Sequence, residues 1–281
     1  MIVDAHQHFW NPARGDYGWL TPDMPIHRVY GTDDLRPLLQ QTGVDATILV
    51  QAAPSTAETD YMLAIARRTP WVLGVVGWID LAAPDAPAQI LARAADPLFL
   101  GVRPMLQDIA QPDWILRAEL EPALNAIAAE GLVFDALVKS HQVGVIAELA
   151  GRHPQLSIVL DHAAKPRLGD EQAMAAWRDA MAGLALLPNV TCKLSGLLTE
   201  LQPGAGVSDV MAAAGFLYDL FGDGRLIWGS DWPVLTLAGD YQEWFELARQ
   251  AIAAQQSSAV RAVMGDNAVR IYRPLRAKGQ K

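Results

Sequence analysis

One cysteine, Cys192, is present in 281 residues, so no disulfide can form within the chain. Disulfide-stapled extracellular scaffolds are thereby excluded, and a reducing cytoplasm is the expected setting. Basic residues are scarce, with 22 Lys and Arg against 31 Asp and Glu, a net charge of −9. A chain this acidic lacks the positive footprint that holds nucleic acid or an anionic membrane. No run approaches the roughly 18 consecutive apolar residues of a membrane span. A secretory leader needs a basic start and an apolar stretch, whereas Asp4, His6 and His8 interrupt the first eight residues. No G-x-G-x-x-G follows a strand-like run, which argues against an open dinucleotide-binding sheet. Phe and Tyr number only six each, while Trp reaches nine.

What is present is material for a large core: 51% of residues are hydrophobic and 19% charged. Short apolar runs at 2–8, 46–51, 72–79, 99–103, 132–138, 156–161, 190–194 and 226–230 have strand length. Several are rich in Val and Ile, as buried parallel strands are. Segments with helical spacing lie between them, chiefly at 34–41, 56–68, 85–95, 114–130, 143–153, 171–186, 207–221 and 243–254. Gly43 and Gly131 follow helical segments as C-terminal stops, and Pro70, Pro97, Pro154 and Pro188 each precede a strand. Eight strand–helix units predict a single (β/α)8 barrel, distorted in detail, over residues 1–281. A closing helix is expected over 259–273 and a frayed basic tail over 277–281. Nothing in the pattern sets an oligomeric state, and a homo-oligomer is only the default for such an enzyme.

Chemistry in a barrel gathers where strands meet their C-terminal loops. The polar residues at those ends are His6 and His8, Gln51, Arg103, Lys139, Asp161 with His162, Lys193 with Ser195, and Ser230 with Asp231. His6 and His8 are two apart on a strand, so both imidazoles face one way, about 7 Å apart along it. Imidazoles so placed can share one divalent metal, zinc above all, with His162 and Asp231 as further ligands. Alone, such a pair reads equally well as two hydrogen-bonded histidines in a polar layer. Asp231, in Trp228-Gly-Ser-Asp-Trp-Pro233, can accept a proton from attacking water and return it to a leaving alkoxide.

Three motifs then carry a resemblance. Asp4-Ala-His6-Gln-His8-Phe-Trp10-Asn-Pro12 with Tyr17-Gly-Trp19-Leu20, Asp161-His162-Ala-Ala-Lys165-Pro, and Gly229-Ser-Asp231-Trp-Pro233 together resemble the amidohydrolase superfamily. More narrowly, they resemble its sugar-lactonase branch. The resemblance spans strand one to strand eight. It implies hydrolysis of the ester inside an aldonolactone ring. It departs from the two-metal pattern of the superfamily, since Arg103 and Lys139 end strands four and five. At most one metal is therefore expected, and turnover without one is left open. In that case Arg103 and Lys139 become candidates for stabilising the oxyanion, or for binding substrate hydroxyls or a product carboxylate. The plainer alternative is an ion pair with Asp4 or Asp135. Lys165 and Lys193 read as structural or solvated, and His141 as the start of the next helix.

The tryptophans suit a small sugar lactone. Trp10, Trp19, Trp78 and Trp232 follow strand ends, where flat rings can cover C–H faces. Gln51 joins them as a polar contact. Trp71, Trp114, Trp177, Trp228 and Trp244 read as core or helix-face packing. Three alternatives remain: a non-hydrolytic decarboxylase on the same barrel, a lactonase for a non-sugar lactone, and a sugar-binding protein whose site has decayed.

Overall fold

The computed structural model describes residues 1–273. Eight parallel strands follow one another in chain order around a barrel. They are β1 (Val3–Gln7), β2 (Ala46–Val50), β3 (Val72–Gly77), β4 (Phe99–Val102), β5 (Val133–Ala136), β6 (Ser157–Leu160), β7 (Val190–Leu194) and β8 (Leu226–Trp228). Between them run α1 (Thr32–Thr42), α2 (Thr56–Arg68), α3 (Ala86–Ala94), α4 (Glu121–Ala129), α5 (Val143–Arg152), α6 (Glu171–Ala185) and α7 (Val207–Phe221). α8 (Tyr241–Gln255) and α9 (Asn267–Tyr272) complete the shell. Among the described residues, no helix is long and apolar enough to cross a membrane.

Closure of the barrel occurs at the mouth. β8 is only three residues long, and a parallel bridge joins Gln7 to Trp232 beyond its end. The Asp231 amide donates to the His6 carbonyl and the His8 amide to the Trp232 carbonyl, each at 2.8 Å. The segment carrying Asp231 is thus laced directly to the one carrying both histidines.

Two cores sandwich the strands. Outward-facing residues pack with the helical shell, where Trp177, Trp228 and Trp244 are fully buried. Inward-facing Val3, Ala5, Ile48 and Val50, alternating along β1 and β2, meet Ala268, Ile271 and Tyr272 of α9. That helix plugs the end of the barrel opposite the mouth. Cys192 is a buried strand residue.

Two expected helices take other forms. The segment expected at 114–130 begins as two 3-10 turns, Trp114–Leu116 and Ala118–Leu120, before α4. Extended backbone at Arg117 (φ −68°, ψ 138°) separates the turns, and Pro122 then sits in the first turn of α4, where its missing N–H costs nothing. The closing segment is a 3-10 turn, a π-type turn at Ala262–Asp266 and α9. The tail expected at 277–281 lies outside the described residues.

Candidate active site

The mouth is built from short-range constraints. Among the described residues, Asp4 has no cation within ion-pair distance. Its Oδ1 accepts from the amides of Ser230 (2.8 Å) and His6 (3.1 Å), and its Oδ2 from the Tyr241 hydroxyl (3.0 Å). The first aspartate of the opening motif therefore clamps β1 to the loop after β8. Gly229 is required beside it, because a Cβ there would come within 2.7 Å of His6 Cβ. Gly196 serves His162 in the same way, since a Cβ would meet its ring at 2.7 Å. His162 (φ 51°) and Asp231 (φ 60°) both hold left-handed backbone, as do Ala163, Ala164 and Lys165. Strain of this kind in residues other than glycine persists where the surroundings over-determine it, often at functional sites.

Four of the expected residues converge. His6 Nε2 lies 3.2 Å from His8 Nε2, and His8 Nε2 lies 3.2 Å from Asp231 Oδ1. Asp231 Oδ1 is also 3.7 Å from both His6 Nε2 and His162 Nε2. His8 Nδ1 donates to the Val50 carbonyl at 2.8 Å, which fixes the ring so that Nε2 faces Asp231. His162 Nδ1 is hydrogen-bonded to Ser195 Oγ at 2.9 Å. Burial lowers the pKa of His6 well below its usual value, with Lys193 adding to the effect. It lowers that of His162 to about 4, against the pull of Asp231 and Asp161. Burial alone would raise Asp231, but His162, the hydrogen bond from His8 and the charges of His6 and His8 hold it well below the carboxylate range.

This donor set fits a divalent metal. Zinc bound at about 2.0–2.1 Å sets its tetrahedral ligand atoms roughly 3.3 Å apart, close to the 3.2 Å separations across His8. Ligand atoms of His6, His8 and Asp231 all lie within 4.8 Å of one another. His162 is the looser member, joining through Asp231. A second grouping of His6, Asp161 and His162 is equally close, but the Asp161 oxygens are already engaged. Lys193 Nζ donates to Asp161 Oδ1 at 2.7 Å, and Arg103 Nη1 donates to Asp161 Oδ2 at 3.2 Å.

Below the histidines lies a buried charged floor. Lys193 donates to Asp135 (2.8 Å) and Asp161, and approaches His6 Nδ1 at 3.1 Å. Tyr272 donates to Asp135 from α9. Burial would lower the Lys193 pKa, but the two carboxylates outweigh it and raise it. The ion pair expected for Arg103 is thus made with Asp161, and the partner of Asp135 is Lys193.

A cavity of about 240 Å³ opens over this cluster, with His8, His162, Asp231, Arg103, Trp19 and Lys165 on its wall. Met105, Gln107, Asp108, Leu137 and Val234 also face it; sequence reasoning missed them, although the loop after Arg103 was readable as a mouth loop. Trp19 keeps 36% exposure, and its Nε1 donates to the Ala52 carbonyl at 2.7 Å. The other expected contacts lie elsewhere. Trp10 is fully buried behind His8, stacked at 6.2 Å, because its backbone bridges to Tyr30 on both sides. Trp232 turns into Phe9 and Tyr30. Gln51 spends its amide on the Arg103 carbonyl at 2.7 Å, while Arg103 Nη2 donates back to the Gln51 carbonyl. Trp78 lines a neighbouring apolar hollow with Pro54 and Trp114. Lys139 faces another hollow, beside His141 and Glu200. His141 does stand in the turn that leads into α5.

Residues 3–273 match the amidohydrolase family. The chain belongs to that family. It is 46% identical over 284 residues to an L-fucono-1,5-lactonase of Burkholderia ambifaria, covering 99% of this chain and 98% of that protein. It is 37% identical to an L-fucono-1,5-lactonase of Burkholderia multivorans, covering 97% and 96%. A crystal structure of a Burkholderia multivorans amidohydrolase with bound zinc superposes with a TM-score of 0.92 at 35% identity, covering 98% of this chain and 99% of that one.

Proposed function

We propose that this protein hydrolyses a sugar lactone, L-fucono-1,5-lactone or a near relative, to the open-chain acid. The observation that carries the reading is Asp231. Its carboxylate is held ionised among His6, His8 and His162 on the wall of a cavity sized for one small ring. The similarity to two L-fucono-1,5-lactonases over nearly the whole chain supports the same substrate class.

Water beside Asp231 attacks the ring carbonyl carbon, and Asp231 takes its proton. Arg103 faces the cavity as a buried cation, so it can stabilise the oxygen on which negative charge develops. The bond from the acyl carbon to the ring oxygen then breaks, and Asp231 returns the proton to the departing alkoxide. Trp19, pinned through its indole N–H, presents a flat apolar face to the sugar carbons. His6, His8 and Asp231 would hold one zinc ion, with His162 beside them. When bound, that ion polarises the carbonyl and lowers the pKa of water at the site.

The test is a panel of 1,4- and 1,5-aldonolactones followed with a pH indicator, with carbon dioxide measured in parallel. Acid release without carbon dioxide is expected. Carbon dioxide from an aromatic acid, or no opening of any lactone, would overturn the reading. Dialysis against a chelator, with zinc content and rate followed together, is expected to remove both in step.

A further inference from the structure

A second hollow, about 700 Å³, opens beside the catalytic cavity and shares Lys165 with it. Its walls carry Lys139, Lys165 and Arg167 against one carboxylate, Glu200. Three cations around one hollow stand out in a chain of net charge −9. Among the described residues, neither Lys139 nor Lys165 is held in an ion pair within 4 Å, while Arg167 reaches Asp170 at 3.4 Å. The floor is apolar, formed by Trp177 and alanines of α6. Trp177 is fixed in place by its indole N–H, which donates to the Ala163 carbonyl at 2.8 Å.

Lactone hydrolysis starts from an uncharged ring and ends in an acid, so a negative charge appears only in the product. It appears next to Asp231, another carboxylate, where like charges repel. Of these two ammonium groups, that of Lys165 lies where the cavities meet, and that of Lys139 lines the hollow alone. We propose that this basic hollow is a carboxylate-binding site that receives the ring-opened sugar acid, a role that rests on the lactone reading. Uncharged substrate gains nothing from it. Glu200 works against it as a carboxylate, but burial and Asp231 raise its pKa against the pull of Lys165 and Lys139, which lessens the opposing charge.

Two variants test this without touching the catalytic cluster. Lys139→Met removes a cation that faces only the hollow. Gly144→Glu adds a carboxylate to the wall at the first turn of α5, where a Cβ meets no atom within 4 Å and an acidic side chain suits the helix end. With zinc-loaded enzyme and L-fuconate as inhibitor, each variant is expected to raise Ki roughly 3- to 5-fold, the upper range of one exposed charge. KM for the uncharged lactone is expected to stay within about twofold of the parent. Added sodium chloride should weaken inhibition of the parent more than of Gly144→Glu. Lactone turnover with unchanged Ki, or Ki and KM rising together, would overturn the carboxylate site and leave the lactonase reading standing. If no lactone is opened, calorimetric titration with L-fuconate still decides. Weaker binding by Lys139→Met upholds the carboxylate site, and equal binding by parent and variant overturns it.

Discussion

Asp161 follows β6 and Asp231 follows β8; both are buried and both lie within reach of His6. Asp161 has its oxygens engaged by Lys193 and Arg103, cations that keep their charge in any working buffer. Asp231 is approached through Oδ1 by three imidazoles, and its carboxylate borders the cavity. A carboxylate neutralised by permanent cations is a fixed part of the floor. One approached by imidazoles on a single oxygen keeps lone pairs for a proton or a metal. The same residue types therefore build a sealed layer and a reactive one a few ångströms apart.

The sharpest way to break that contrast is Asp231→Asn, which keeps shape and removes the proton acceptor. Lactone opening is expected to fall at least about 100-fold, with circular dichroism and Tm close to the parent. An unchanged rate would assign the proton to another group. On the floor, Lys193→Met should act on stability, since it leaves Asp135 and Asp161 without their shared ammonium. A loss of about 3–5 kcal/mol in urea unfolding is expected, and a loss under about 1 kcal/mol would mean the floor contributes little.

A smaller effect is expected at Glu58, which holds the loop after β2 at the mouth. Its carboxylate accepts from the Ala52 amide at 3.0 Å and the Ala53 amide at 2.7 Å, and the Ala52 carbonyl holds Trp19. Glu58→Gln is expected to raise KM roughly threefold with kcat nearly unchanged. Burial raises the pKa of Glu58 to about 7 from 4.5. The fold then binds this proton more tightly than the unfolded chain, so its contribution to stability is full below pH 4.5 and is lost as pH rises toward 7. The Tm difference between Glu58→Gln and parent should shift in favour of the variant from pH 5 to pH 8, and a constant difference would contradict it. Smallest of all, Arg152→Ala breaks an exposed pair with Glu148 and should cost under about 0.5 kcal/mol.

The eight strands and the converging His6, His8, His162 and Asp231 were legible because strand alternation and strand-end position are local properties of sequence. Partners set by the circumference of the barrel were not. Nothing near Lys193 in sequence shows that Asp135 and Asp161 close over its amine. The tryptophans sorted poorly for a related reason. Trp10 and Trp19 both follow β1, but the bridge from Trp10 to Tyr30 buries one while the indole bond to Ala52 leaves the other at the mouth. Lys139 followed a strand end as expected, yet the rim there splits into two hollows, and it faces the one without His8, His162 and Asp231.

Hydrolysis of L-fucono-1,5-lactone in water enriched in oxygen-18 tests the mouth as a hydrolytic centre most directly, with uncatalysed opening subtracted. Enzyme-dependent turnover that places one labelled oxygen in the product carboxylate is the predicted result. Label on the freed hydroxyl, or no enzyme-dependent incorporation by zinc-loaded protein, would contradict it.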